Sequence, residues 1–242
     1  MNSTYKGSVS LLRDFWEGRS ASFEEDYGIR QKGIVKLAKE VAGFIDGRFV
    51  LELGCGPGIV AALYPKGTDV VGLDFSSSML KRARKRVGKL VLGDSLRLPF
   101  RSLTFEVVTC FFMASDYASK ECILSEAFRV LEKRGVFLYA DYSPNDEHWR
   151  LSREVRPALG ESCDIHIEGE RELSEKLRHV GLSVQGCKPI RFKTEFRLRR
   201  YVKSRDEMQR LERASPDAWK RLKAHARSAS ISREFLLLIS TK

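Results

Sequence analysis

Side-chain amides are almost missing from this sequence: Asn2, Asn145, Gln31, Gln185 and Gln209 are the only ones in 242 residues. Arg, Lys and Glu take the polar positions instead, a pattern that suits a heat-stable chain. Cysteine is sparse and scattered. Cys55, Cys110, Cys122, Cys163 and Cys187 form no C-x-x-C pair, which argues against a zinc cluster or other metal centre and for a reducing, cytoplasmic setting. Met1 to Arg13 offers no apolar h-region, so no signal peptide is predicted. The longest apolar run near the end, Phe235 to Ile239, is too short for a bilayer and reads as a buried strand. Internal repeats and low-complexity tracts are absent. What remains, 43% hydrophobic and 31% charged residues, is the composition of a globular chain that can bury a full core as one domain over residues 1–242.

The most informative stretch present is Val50-Leu51-Glu52-Leu53-Gly54-Cys55-Gly56-Pro57-Gly58. Val50, Leu51 and Leu53 read as a short buried strand entering a glycine turn, where backbone rather than side chain can approach a ligand. Ile59 to Leu63 is then predicted to start a helix. Strand, glycine turn and helix N-terminus together form the nucleotide-binding corner of a doubly wound α/β sheet. The spacing is G-x-G-x-G with an acid two residues ahead, not the G-x-G-x-x-G of dinucleotide-binding proteins, which opposes a NAD-dependent dehydrogenase. A second apolar run ends in a carboxylate, Asp74, twenty positions after Gly54; this is the separation at which an acid on the next strand meets a ribose diol. Ser76-Ser77-Ser78 follows as an N-cap cluster. A third run, Lys89 to Leu92, ends in Gly93-Asp94-Ser95, with Leu98-Pro99-Phe100 shortly after.

Glu52 with its glycines, Asp74 and the Gly93-Asp94 pair resemble, in this order, the motifs of class I S-adenosylmethionine (SAM)-dependent methyltransferases of the type 11 kind. The resemblance covers roughly Phe49 to Tyr142. Glu106 stands where the family usually has aspartate, and Arg134 where it often has proline or glycine. The resemblance implies a Rossmann-like, doubly wound seven-stranded sheet with an antiparallel last strand. It implies SAM as cofactor, leaving as S-adenosylhomocysteine, held by Glu52, Gly54, Cys55, Gly56 and Gly58 at the turn. Asp74, Phe75 and Met79 would follow after the second strand, Asp94 and Ser95 near the adenine, and Phe111 after the fourth strand.

Around this core, residues 46–142, the chain carries extra segments. Residues 1–45 are predicted as a helical cap, with Phe15, Trp16, Phe23 and Tyr27 available to close the pocket. Phe105 to Cys110 and Val136 to Tyr142 read as strands four and five, with a helix from about Ser119 to Glu132 between them. Residues 143–167 form an insertion short on periodicity. A helix from Glu168 to Leu182, a strand from Ser183 to Cys187 and a last strand from Glu234 to Ser240 complete the order. Residues 188–230 are predicted as a helical insertion, a substrate lid in which Ser215-Pro216 starts a fresh helix. Between 188 and 227, fourteen Lys and Arg against five acids give +9 of the formal +11. Such a surface could bind phosphates on RNA, DNA or anionic lipid, attract an acidic small substrate, or be a solvated face laced with salt bridges.

A methyltransferase needs a general base only for acceptors that stay protonated at neutral pH, and no catalytic signature stands out. His148, His166, Asp116, Tyr117 and Tyr142 are the available bases. The Asn/Asp-Pro-Pro-aromatic motif of base-amine methylation is replaced by Cys110-Phe111-Phe112-Met113. Thr109-Cys110 matches the letters of a pyrimidine-methylating nucleophile, but Cys110 ends an apolar strand, as packing cysteines do. Phe111, Phe112 and Met113 could floor a hydrophobic acceptor cavity. Three readings follow: methylation of a small or lipid-like molecule, methylation of RNA docked on the basic insertion, and SAM binding without catalysis.

Overall fold

The computed structural model describes residues 9–20, 31–114, 117, 120–161 and 167–242. The apolar runs become strands β1 (Phe49–Leu53), β2 (Asp69–Asp74), β3 (Lys89–Leu92), β4 (Phe105–Phe111) and β5 (Leu131–Tyr142), joined by β6 (Ser183–Glu195) and β7 (Ser230–Thr241). They form one seven-stranded sheet in the order β3-β2-β1-β4-β5-β7-β6. Neighbours from β3 across to β5 are parallel, and β7 runs antiparallel to both β5 and β6. This is the Rossmann-like sheet with an antiparallel last strand that the family resemblance implies. Strand order reverses between β1 and β4, so the crevice outside their carboxyl ends is where such a sheet takes a ligand.

Successive strand residues point to opposite faces, and each face has its own helices. On one, Leu12 of α1 (Val9–Arg19), Ile123, Leu124 and Ala127 of α4 (Glu121–Val130), and Leu173 and Leu177 of α6 (Glu170–His179) pack on Leu51, Leu53, Val108 and Phe137. On the other, Ile34, Leu37, Val41 and Ile45 of α2 (Gln31–Ile45) pack on Val50, Val107, Leu138 and Phe235. A Cβ on Gly33 would lie 2.4 Å from the Phe192 ring and 2.7 Å from that of Phe235, so the missing side chain sets how close α2 comes to β6 and β7. The short α3 (Ser77–Ala83) follows β2, capped by the Ser76 hydroxyl.

A third cluster lies apart from the sheet faces. Leu151, Val155 and Leu159, in and just after α5 (Glu147–Ala158), meet Leu211 of α7 (Arg205–Ala214) and Ala218, Trp219 and Leu222 of α8 (Pro216–Ser228). Phe196, Tyr201, Val202 and Ile231 complete it.

Four local expectations differ. Ile59 to Leu63 is not a helix: only a single 3-10 turn, Ala61–Leu63, forms, and Tyr64 is extended at ψ 155°. Pro65 disfavours helical backbone at the residue before it and supplies no amide donor. Residues 188–195, predicted as part of a helical insertion, instead prolong β6, which pairs with β7 as far as Glu195↔Ser230. Their alternating exposure, with Ile190, Phe192 and Thr194 buried between exposed neighbours, is strand periodicity hidden under many basic residues. The segment 143–167, read as short on periodicity, contains α5, whose apolar pattern is interrupted by the buried Ser152. Finally, α4 stops at Val130 because Leu131 already pairs with Phe105. Phe23 and Tyr27 lie outside the described residues; Trp16 packs on the first cluster. Among the described residues no helix is long and apolar enough to cross a membrane.

Candidate functional site

β1 and β2 finish side by side, in register from Phe49↔Asp69 to Leu53↔Leu73, so Glu52 and Asp74 both stand at the carboxyl edge. Between them the chain turns through left-handed backbone, with φ of 61° at Gly54, 52° at Gly56 and 74° at Gly58. A Cβ at Gly54 would strike Met113 at 2.7 Å, whereas one at Gly56 would have nothing within 4 Å. The turn therefore borders open space at Gly56, where backbone is the nearest protein surface. Gly58 is different in kind: its missing side chain makes room for Val87.

Hydrogen bonds fix the corner. Cys55 N–H donates to Leu73 O at 2.9 Å. Asp74 accepts from Gly56 N–H on Oδ2 and from Ser76 N–H on Oδ1, each at 2.8 Å. Gly93 N–H donates to Asp74 O at 3.0 Å, which ties the end of β3 to the same place. Asp94 is half-buried, with Oδ1 accepting from Leu96 N–H at 2.9 Å, and Ser95 beside it is buried. The half-buried Phe75 ring lies 6.5 Å from that of Tyr117. Met79 is buried near the start of α3. Across the corner, the Glu17 carboxylate of α1 accepts from Ser77 N–H at 2.6 Å and Ser78 N–H at 3.1 Å. The structure thus gathers Glu52, Gly54, Cys55, Gly56, Asp74, Phe75, Met79, Asp94 and Ser95 around the ends of β1, β2 and β3. Phe111 is buried at the end of β4, on the strand face shared by Thr109.

The corner's electrostatics are unusual. Glu52 is 2% exposed and its Oε2 has no hydrogen-bond partner among the described residues. Burial pushes its carboxyl up to about 8; the Tyr64 hydroxyl pulls it down and Asp74 adds to the rise. Burial likewise lifts Asp74 to about 6, against the amides of Ser76 and Gly56, which favour its charged form. Among the described residues, the side chains acting most strongly on the two acids are Tyr64, Glu17 and the acids themselves, none of them cationic. A pyrophosphate would meet two acids here, whereas a cationic amine and hydroxyl donors would find the acceptors they need. The donor set fits a zwitterionic, ribose-bearing molecule such as SAM.

The candidate bases are dispersed. Tyr117 is buried beside Phe75. Tyr142 is buried in an aromatic cluster, with ring centroids 5.1 Å from Trp149, and 5.7 Å from both Phe112 and Phe235. His148 is directed at the third cluster, Nδ1 lying 2.6 Å from the Tyr201 hydroxyl. Asp116 and His166 lie outside the described residues. Cys110 is completely buried and burial drives its thiol far above the ordinary range, which suits packing rather than nucleophilic attack.

Sequence reasoning missed a polar group under the ends of β4 and β5. Asp141 accepts from the Tyr139 hydroxyl at 3.1 Å and from Tyr142 N–H at 2.8 Å. Nearby, Glu168 takes both Lys120 and Lys176 as ion-pair partners. An acid within the apolar run Val136 to Tyr142 was a legible sign for Asp141, as it was for Glu52; nothing in the sequence marked Glu168. In the basic segment, Lys188 pairs with Glu40, Arg191 with Glu234, Arg197 with Glu195, Arg221 with Glu154 and Lys223 with Glu212.

Comparison with known proteins finds methyltransferases similar to this chain. The family described as "Methyltransferase domain" matches residues 51–139. A malonyl-[acyl-carrier protein] O-methyltransferase of Legionella pneumophila is 34% identical over 189 residues, 72% of this chain and 64% of that protein. A demethylmenaquinone methyltransferase of Thermotoga maritima is 33% identical over 119 residues, 47% of this chain and 50% of that protein. The chain thus spans less than two thirds of the length of these relatives. Among solved structures, a methyltransferase-like protein of Bacillus halodurans shares the fold with a TM-score of 0.65 and 20% identity, over 86% of this chain and 98% of that one.

Proposed function

We propose, from the premise that the chain carries a domain of the class I SAM-dependent methyltransferase family, that it transfers the SAM methyl group to a nucleophilic atom of a small or lipid-like molecule. The observation that carries this reading is the pair of buried acids, Glu52 and Asp74, flanking a glycine turn open at Gly56. Glu52 takes the ammonium end of the cofactor, the backbone of Gly54, Cys55 and Gly56 lines its amino-acid part, and Asp74 accepts from the ribose hydroxyls. Asp94 and Ser95 face the adenine edge, with Phe75 and Met79 against its ring and Phe111 on the floor beyond β4; Gly58 serves the turn by packing.

SAM supplies a methyl group already activated by a sulfonium, so alignment and a dry site are the protein's main tasks. Residues 1–45 act as a cap, with Glu17 of α1 fastened to the head of α3. Residues 46–142 are the cofactor core, and 143–167 with 188–230 form the acceptor side, in one domain. Phe112, Tyr142 and Trp149, whose rings pack on one another, are read as the aromatic wall of that side. An apolar wall suits a lipid-like acceptor, and the two relatives above, named for demethylmenaquinone and for malonyl-[acyl-carrier protein], support a small or lipid-like acceptor. The ion pairs along the basic segment favour a solvated lid over an RNA-docking face.

The test is incubation of the protein with methyl-labelled SAM and a cell extract split into RNA, protein, lipid and small-molecule pools. Label in the lipid or small-molecule pool is expected. Nuclease-sensitive label in RNA would overturn the acceptor class, and SAM binding with no label in any pool would overturn catalysis.

A further inference from the structure

Glu52 is neighboured by a short chain of hydroxyls. In register with it on β4 is Thr109, fully buried. The buried Tyr64, just after the 3-10 turn, donates its O–H to Thr109 Oγ1 at 3.3 Å, and Thr109 in turn donates to Leu51 O at 3.5 Å. Because Thr109 stands in register with Glu52, its bond to Tyr64 sets the Tyr64 hydroxyl beside the Glu52 side chain, whose Oε2 is unpartnered among the described residues. Titratable groups facing Glu52 are Tyr64, the Cys55 thiol and Asp74, itself acted on by Glu17 of α1. None of these is a cation.

A hydroxyl placed between an acid and a second hydroxyl can serve either protonation state. With Glu52 neutral, its proton is donated to the Tyr64 oxygen, Tyr64 donates to Thr109, and Thr109 to Leu51 O; the last two bonds are those observed. With Glu52 ionised, both hydroxyls turn: Tyr64 donates to the carboxylate and Thr109 donates to the Tyr64 oxygen. No bond to carbon changes, and the one proton lost by Glu52 goes to solvent.

We propose that Tyr64 is the positioning residue that lets Glu52 exchange its proton for the ammonium of SAM, by turning its O–H from Thr109 to Glu52 as the cofactor binds. The inference rests on the cofactor reading above and goes beyond it, by assigning a role to a side chain outside the glycine, acid and ribose motifs. Cofactor binding then releases a proton, and Tyr64→Phe, which removes the donor, makes Glu52 harder to ionise while leaving the adenosine part of the site alone.

Calorimetry of SAM binding to the full chain at pH 8, in buffers of different ionisation heat, counts the protons released per ligand. The control ligand is 5′-methylthioadenosine, which keeps the adenosine and lacks the amino-acid end. With Glu52 at about 8, the wild type releases about half a proton from this group and a rise of about one unit in Tyr64→Phe brings this to about nine tenths; uptake by the SAM amine is the same for both proteins, so the net count rises by about 0.4 in the variant. SAM binding weakens by up to about tenfold and methylthioadenosine binding is unchanged. Equal proton counts in the two proteins, or an equal loss of affinity for both ligands, would overturn the role of Tyr64. A wild type that binds neither ligand would remove the cofactor reading, and this inference with it. Replacement of Tyr64 by 3-fluorotyrosine, which keeps the size and strengthens the donor, guards against a folding defect: the proton count should fall below the wild-type value, and an unchanged count overturns the proposal.

Discussion

Arg233 of β7 and Asp146 at the head of α5 form an ion pair inside the protein, Nε to Oδ2 at 2.7 Å, with 4% and 0% of their side chains exposed. Asp146 also accepts from Glu234 N–H at 2.9 Å and from Trp149 N–H at 3.3 Å, so one carboxylate joins the last strand to the helix that starts the third cluster. Burial holds Asp146 above the ordinary carboxylate range even beside a guanidinium. Removing one partner strands the other. Arg233→Leu is expected to cost about 3–5 kcal/mol, read from urea denaturation; a loss below about 1 kcal/mol would mean that the pair is hydrated in solution.

Asp74→Ala is expected to weaken SAM binding by about tenfold or more, the scale of one charge-assisted hydrogen bond, with the folded signal retained. Titration calorimetry beside circular dichroism checks both halves. Unchanged affinity would count against Asp74 as the ribose acceptor.

The ligand-free protein should lose stability as pH rises. A glutamate in the unfolded chain ionises near 4.5, whereas folded Glu52 keeps its proton to about 8. Between these values the unfolded chain binds fewer protons, so unfolding becomes easier as the solution becomes more alkaline. Asp74, raised from 3.8 to about 6, adds the same sign at lower pH. Melting curves should show Tm falling between pH 5 and 8. Glu52→Gln should flatten much of that fall, gaining about 4 kcal/mol at pH 8. Parallel pH profiles for variant and wild type would show that Glu52 is already ionised without ligand.

Gly33→Ala places a methyl group 2.4 Å from the Phe192 ring, in a face packed on both sides. A loss of about 1–3 kcal/mol is expected from overpacking, measured by denaturation. Affinity for SAM should be unchanged, since Gly33 lies in the α2 cluster and not at the glycine turn.

The cofactor half of the protein is legible in its sequence because its constraints are local. Strand, turn and acid follow one another within a few residues, as at Val50 to Gly58, and parallel order follows from the alternation of runs. The half around α5 and β7 is written in long-range contacts. Asp146 finds Arg233 across 87 positions and Ser143 donates to Glu234 across 91; no periodicity announces such partners. The strand at 188–195 was obscured because basic residues occupy its exposed positions. Tyr64 left no motif at all, since its significance comes from sitting behind an acid on a neighbouring strand.

The pairing of Glu195 with Ser230 brings the two stems of the 196–229 excursion together on adjacent strands. Topologically this excursion is a graft: it leaves and re-enters the sheet through one doorway, and a tight turn could close the gap if it were cut away. If, as proposed, this cassette forms the acceptor side, acceptor preference can diversify by its exchange, between a sheet that stays paired and a corner built from strands at the opposite end.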